Sequence, residues 1–203
     1  MFIYTNLWEG KMAKKSSKKN DMTGLIINIV VIALAVLTVC TLFMPFLKNV
    51  NLLAGKEVEL GTFSATGSDV FTAAFRGEMS TELSEGANVL IAMKTAAENS
   101  FVAVVMIWGY VLTVLVSVAT LVFAVLNILG MKFRLVNTIL GIALVVLALV
   151  TFIFALVAAS KHSSFTVIAE KETGVKLKAV VGAFMMFAAL IAGGAEVYKA
   201  RMK

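Results

Sequence analysis

The chain contains 203 residues, of which 60% are hydrophobic and 15% are charged, with a formal net charge of +6, one proline and one cysteine. Typical globular domains are roughly 45–50% apolar and about 25% charged, so this composition excludes a water-soluble enzyme, a nucleic-acid-binding domain and a secreted disulfide scaffold. Four stretches contain no Asp, Glu, Lys or Arg, at residues 22–47, 99–131, 135–160 and 179–195. Because about 20 apolar helical residues cross a bilayer, we predict a membrane protein with four spans.

A basic segment, residues 1–21, precedes the first span. Its clustered lysines are Lys14, Lys15, Lys18 and Lys19. We interpret this segment as a tail that lies against anionic lipid headgroups and has no role in nucleic-acid binding. The codons of residues 8–10 must resemble a bacterial ribosome-binding site just before Met12. We therefore hypothesise that translation starts at Met12 instead of Met1, that residues 1–11 are not translated, and that the source is bacterial.

The predicted fold is an all-α membrane protein, with a four-helix transmembrane bundle in residues 22–203. The expected spans are residues 23–47, 99–131, 135–160 and 177–198, and the expected outer loops are residues 48–98 and 161–176. We expect the first helix to continue to residue 47, with Pro45 in its last turn, where a missing amide costs least. The short turn at residues 132–134 makes the second and third helices antiparallel neighbours.

The distribution of basic residues predicts the orientation. Four spans place both termini on the same side as the turn at residues 132–134. That side has ten Lys and Arg residues within 32 positions, whereas the opposite loops have eight within 69 positions. The side with the higher density of positive charge is normally cytoplasmic. We expect a multi-pass protein of the bacterial inner membrane with both termini in the cytoplasm.

The outer loops contain signals for a small extracytoplasmic β element. Residues 57–63 alternate in polarity and predict a strand, after a turn at Ala54-Gly55. Residues 165–168 form a second strand candidate that can pair with the first, and Thr173-Gly174 predicts a turn.

Two helix starts are predicted in the first outer loop. Gly67-Ser68-Asp69 is typical of a helix start. Four apolar residues that follow it share one helical face: Val70, Phe71, Ala74 and Phe75. We expect a short amphipathic helix here, and a second helix that starts near Ser80 or Ser84.

The predicted spans contain no residues that indicate catalysis. Asp, Glu, Lys, Arg and His are absent from the four charge-free stretches, and no hydrolase, zinc-protease or phosphate-loop motif occurs. Cys40 is the lone cysteine, so the outer loops cannot be joined by a disulfide. His162 lies near Glu170 and Glu172, but this spacing matches no common zinc pattern. We therefore expect no catalytic residue, no cofactor and no metal site, and we predict that the protein is not an enzyme.

Small and mildly polar residues recur at helical spacing and predict the helix interfaces. In lipid, helices associate through small residues and inter-helix hydrogen bonds. The predicted interface residues are Gly109, Thr113, Ser117, Thr120, Ala124, Asn127, Asn137, Gly141, Asn28 and Gly193. Asn28, Asn127 and Asn137 lie near the same end of their helices, so we expect an amide cluster there.

Glu196 is predicted to form an ion pair with Lys132 and Arg134. Glu196 follows the last charge-free stretch and should emerge at the level of the turn that carries these two cations. The pair would hold the fourth helix against that turn.

The four spans, the long first outer loop with a strand and the tight inner turn together resemble the claudin-type tetraspan architecture. That family carries a Trp-Gly-Leu-Trp motif and paired cysteines in its first loop, and neither occurs between Lys48 and Glu98. No residue role is therefore carried over, and no family is assigned on this layout.

Two functional hypotheses remain open from the sequence. The first is a non-enzymatic structural or interaction protein whose folded outer loop binds a partner protein or its own copies. The second is a small channel or facilitator formed by an oligomer. In that case the small and mildly polar residues of the helices, the polar stripe, would line a conduction path. Both hypotheses predict a homo-oligomer or a membrane-complex partner.

Overall fold

The computed structural model describes the backbone of residues 3–53, 56–58, 64–95, 100–131, 133–161, 164–168 and 171–202. Side chains are described within residues 22–48, 64–95, 100–131, 133–161 and 178–202. The helices are α1 (Ile3–Cys40), α2 (Gly67–Phe75), α3 (Glu85–Thr95), α4 (Ser100–Ile128), α5 (Arg134–Lys161), α6 (Val181–Phe184) and α7 (Met186–Arg201). The strands are β1 (Pro45–Leu53), β2 (Lys56–Val58), β3 (Ser64–Thr66), β4 (Ser164–Ile168) and β5 (Lys171–Ala179). The predicted turn at Ala54-Gly55 and the predicted strand residues 59–63 lie outside the described residues.

Four helical segments are long and apolar enough to cross a membrane, which confirms this part of the predicted fold. They are Met22–Phe43, Ser100–Ile128, Arg134–Lys161 and Val181–Arg201. Helix α4 packs against α1 and α5, and α7 packs against α5 and α1, so the four form a closed ring. α1 begins at Ile3, so its backbone is helical through most of the segment interpreted as a basic tail.

Helices α5 and α7 approach each other closely at two glycines. A Cβ built on Gly193 would lie 2.5 Å from the backbone oxygen of Gly141, and a Cβ on Gly141 would lie 2.8 Å from the backbone oxygen of Gly193. Close backbone approach is a main source of stability for helix association in lipid. Lipid tails are as apolar as the side chains, so helices gain little from burying apolar surface against one another. These two glycines therefore set the distance between α5 and α7.

The first helix ends earlier than predicted. A short 3-10 turn, Thr41–Phe43, follows α1, and Met44 is extended with φ −96° and ψ 146°. Proline disfavours the helical conformation of the residue before it, and it cannot donate a backbone hydrogen bond inside a helix. Pro45 thus begins strand β1, whereas the sequence suggested that it would end the helix.

A small antiparallel sheet joins the two connections that the sequence identified as outer loops. The strand order is β2-β1-β5-β4, with β3 also paired to β1. Strand β1, which follows α1, pairs with β5, which precedes α6, from Leu47↔Ala179 to Leu53↔Thr173. The two connections therefore fold together. We call the five strands, α2, α3 and the residues between them the cap.

The second connection differs from its prediction at both ends. The predicted strand at residues 165–168 is present as β4, but Thr173-Gly174 lies within β5 and pairs with β1 and β4. Hydrogen bonding on both sides of β5 overrides the local turn preference of this dipeptide. Because β5 continues to Ala179, the fourth span begins at Val181 instead of residue 177.

Helices α2 and α3 are held by side-chain caps. Thr66 and Asp69 form a capping box at the start of α2. The hydroxyl of Ser84 donates to Asp69 at 2.5 Å and accepts from the backbone N–H of Ala87 at 3.1 Å, so one serine links the two helix starts. At the other end of α2, Lys94 Nζ donates to the carbonyls of Ala73 and Arg76, at 2.5 and 2.6 Å.

Tyr110 of α4 is the buried junction between bundle and cap. Its hydroxyl lies 2.9 Å from the hydroxyl of Thr41 at the end of α1. Its ring meets those of Phe46 in β1 and Phe71 in α2 edge-on, with centroid distances of 4.9 and 6.1 Å. A Cβ on Gly67 would overlap both the Tyr110 hydroxyl and the Thr41 carbonyl. Two cap elements, β1 and α2, thus meet the bundle at one side chain.

Gly193→Ala should destabilise the bundle, because the added methyl group would press on the backbone of α5. We expect a loss of about 1–3 kcal/mol, as for other overpacked sites. Gly194→Ala is the matched control, since a Cβ there has no atom within 4 Å and alanine improves helix propensity by up to about 1 kcal/mol. Thermal unfolding of both variants in detergent measures the difference. Equal midpoints for the two variants would contradict the glycine contact.

Candidate functional site

A buried ionic cluster lies at the end of the bundle opposite the cap. Glu196 of α7 is 1% exposed, and both of its carboxylate oxygens lie 2.7 Å from Lys199 Nζ. Lys199 Nζ also donates to Asn28 Oδ1 of α1 at 2.6 Å. The ammonium group therefore bridges two helices.

Helical spacing and close packing produce this cluster. Glu196 and Lys199 are three residues apart, so their side chains share one face of α7. Lys199 is in the last turn of α7, where a positive charge is favoured by the helix dipole. Glu196 lies one turn beyond Gly193, and its Cβ would be 3.1 Å from a Cβ on Gly141. The close contact of α5 and α7 thus leaves the carboxylate under cover.

The electrostatics of the cluster depend on the lysine. A carboxylate in a membrane span is unfavourable unless a positive group compensates it, and Lys199 supplies that charge. Only Oε1 has the geometry of a hydrogen bond to Nζ, and Oε2 accepts none from the residues that the structure describes. The cluster is electrically neutral and joins α7 to α1.

The structure gives Glu196 a different partner from the predicted cations. Arg134 Nε donates to the backbone carbonyl of Ala200 at 2.6 Å. This cation therefore contacts the end of α7 through the Ala200 carbonyl and not through the Glu196 side chain. Lys132 lies outside the described residues. Sequence reasoning missed Lys199, although its spacing of three residues from Glu196 was the available signal. Glu196 pairs with Lys199 because the lysine reaches the buried carboxylate along the same face of α7.

The predicted amide cluster does not form as one hydrogen-bonded group among the described residues. Asn28 accepts from Lys199, whereas Asn127 Oδ1 accepts from the backbone N–H of Phe133 at 3.4 Å. Asn137 is buried on α5. The Nδ2 atom of Asn127 is buried and finds no partner among the described residues.

The predicted interface residues lie at helix contacts, and all ten except Asn127 are buried. Thr113, Ser117 and Thr120 each donate to the carbonyl four residues earlier on α4, at 2.7 to 2.8 Å. Thr113 also lies 3.3 Å from the hydroxyl of Thr151 on α5. These hydroxyls are satisfied within the bundle.

The described residues contain no group of three or more His, Cys, Asp or Glu side chains that could hold a metal ion. His162, the one histidine of the sequence, lies outside them, as does Glu170. Cys40 is a free, partly buried cysteine on α1.

No protein-family model matches the chain, and no curated protein sequence matches it significantly.

Removing Lys199 should destabilise the bundle more than removing the charge of Glu196. Lys199→Met leaves a carboxylate buried without its partner, an effect of about 3–5 kcal/mol in other buried pairs. After Glu196→Gln, Lys199 remains 14% exposed, and its long stem can carry the ammonium group to water. We therefore expect a smaller fall in the detergent unfolding temperature for Glu196→Gln.

Two further variants make this test specific. Glu196→Gln combined with Lys199→Met should recover most of the stability, because no charge stays buried. Arg201→Met is the matched control, since Arg201 is an exposed cation at the same end of α7. A loss for Lys199→Met no larger than that for Arg201→Met would show that the cluster does not hold α7 in place.

Proposed function

We propose that this chain is a non-enzymatic, multi-pass membrane protein that presents its folded cap to a partner protein or to its own copies. The observation that supports this proposal most directly is the pairing of β1 with β5. Two connections that could have been separate flexible loops form one sheet. Ordering a loop costs conformational entropy, and an interaction surface is a function that uses such order.

The fixed position of the cap supports the same proposal. The ring of Tyr110 contacts Phe46 of β1 and Phe71 of α2, which joins the cap to α4. Lys94 and Ser84 hold α2 against α3. An exposed polar segment, residues 76–82, lies between these two helices. A rigid scaffold that carries an exposed loop is typical of binding proteins.

The chemistry of the described bundle favours an interaction role over an enzymatic one. Glu196 and Lys199 neutralise each other, and the hydroxyls of the polar stripe donate to their own helix backbone. The stripe lies at helix contacts, which disfavours a water-filled path through one copy. The alternative, an oligomeric channel or facilitator, therefore places its path between copies.

We propose that the protein resides in a bacterial inner membrane, with both termini cytoplasmic and the cap outside. The higher density of Lys and Arg on the side of the termini supports this orientation. The basic residues of that side would contact anionic headgroups.

Site-specific crosslinking in native membranes tests the proposed function. A photo-reactive amino acid at Glu82, an exposed position of the cap, should give a discrete crosslinked product. The same group at Ile142, an exposed position on the apolar surface of α5, is the control for random collisions. Mass spectrometry then identifies the product as a second copy or as another protein.

A cap-disrupting variant makes the crosslink specific to the folded cap. Gly67→Ala should displace α2 from Tyr110 and reduce the Glu82 product several-fold, whereas Gly77→Ala should leave it unchanged because a Cβ there meets no atom within 4 Å. Equal products at Glu82 and Ile142, or a product insensitive to Gly67→Ala, would contradict the proposal. Reproducible unitary conductance of the purified protein in planar bilayers would favour the channel alternative.

A further inference from the structure

The end of α2 exposes an aromatic side chain beside a membrane-spanning helix. Phe75, the last residue of α2, is 68% exposed. Its ring meets that of Trp108 on α4 edge-on, at a centroid distance of 5.4 Å. Trp108 is itself 39% exposed. The two rings form an apolar surface that continues from the cap onto the outside of the bundle.

This surface lies at the level where the first span ends. The candidate span of α1 ends at Phe43, and the hydroxyl of Thr41 lies 2.9 Å from that of Tyr110. Trp108 is two residues from Tyr110, which is about 3 Å along the helix axis. Trp108 and Phe75 are therefore close to the level at which the chain leaves the first span.

Other exposed apolar residues lie at the same level on different helices. Phe43 ends the first span and is 83% exposed. Val181 and Phe184 begin the fourth span and are also exposed, and Gly182 between them packs on the carbonyl of Pro45. Aromatic residues are enriched at the membrane–water interface. The chain after Phe75 is polar and exposed from Arg76 to Glu78, as expected on the water side of the membrane–water interface.

The backbone at the end of α2 is also suited to a site with little water. The last carbonyls of a helix have no partner within the helix and normally bind water. Here Lys94 Nζ donates to the carbonyls of Ala73 and Arg76. Carbonyls without a hydrogen-bond donor are unfavourable in lipid. Lys94 provides a donor for two of them, so they need no water.

We propose that the surface of Phe75 and Trp108 binds the lipid bilayer, so that the end of α2 is inserted into the membrane–water interface at the cap. Phe75 contacts the upper acyl chains, and Arg76 reaches the headgroup phosphates. Lipid is favoured over a second copy because the surface is continuous with the exposed apolar faces of the four spans. The cap is thus half-embedded, and lipid holds α2 from outside while Tyr110 holds it from inside.

Fluorescence quenching in liposomes tests this placement. Cys40→Ser removes the native cysteine, and Phe75→Cys then allows one bimane label at the end of α2. Glu82→Cys in the same background is the matched control on the exposed cap segment. In phosphatidylcholine and phosphatidylglycerol vesicles, we expect iodide to quench the Phe75→Cys label several-fold less than the Glu82→Cys label. Lipids brominated near their carbonyl end should quench the Phe75→Cys label more strongly than the Glu82→Cys label.

Each other outcome overturns the proposal. Equal iodide quenching at the two positions would place the end of α2 in water. Protection of the Phe75→Cys label from both quenchers would assign a second copy or another protein to this surface.

A second measurement keeps Phe75 in place. Trp8→Phe leaves Trp108 as the one tryptophan, and its fluorescence should be quenched more by lipids brominated near the carbonyl end than by lipids brominated near the methyl end. The reverse order would place Trp108 at the bilayer midplane and overturn the proposal. The tryptophan measurement does not depend on whether the cap binds a protein, so failure here and failure of the proposed function are distinguishable.

Discussion

Close backbone contact between α5 and α7 determines how several other groups of the bundle are arranged. Apolar side chains gain little by leaving lipid for one another, so association relies on packing distance and on polar contacts between helices. Gly141 and Gly193 bring the two backbones so close that neither position has room for a Cβ. One turn further, the same approach covers Glu196, and a covered carboxylate requires a cation. Lys199 meets that requirement and contacts Asn28, so the contact between α5 and α7 also determines how α7 meets α1.

The opposite end of the bundle is organised by a different kind of contact. Tyr110 gathers Thr41, Phe46, Phe71 and Gly67 around one side chain. The Tyr110 hydroxyl lies within hydrogen-bond distance of the hydroxyl of Thr41. Because β1 pairs with β5, the position of the first connection determines that of the second. The cap and the bundle therefore form one continuous packing unit, which is consistent with a cap that acts as a rigid interaction surface.

Much of the architecture follows from local patterns that the physics of lipid makes informative. Long charge-free stretches predict helices because no other open structure satisfies its backbone in lipid. The small and mildly polar residues from Gly109 to Ala124 predict an interface because helices in lipid associate through such residues. These residues are buried in the structure. The start of α2 was predicted from Gly67-Ser68-Asp69, and in the structure Thr66 and Asp69 form a capping box there. Asn127 departs from the pattern, since it lies at the helix end and bonds the turn at Phe133.

Sequence patterns were sufficient to predict the four helices that are long and apolar enough to span a membrane, and to identify the helix faces that carry small residues, because both depend on composition and helical period. The end of α1, the place of Thr173-Gly174 within a strand and the pairing of Glu196 with Lys199 instead of Arg134 became clear from contacts in the tertiary structure. Each of these outcomes depends on groups distant in the chain or on competition between nearby partners. A strand needs its neighbours to form, and a buried charge takes the cation that packing brings within reach.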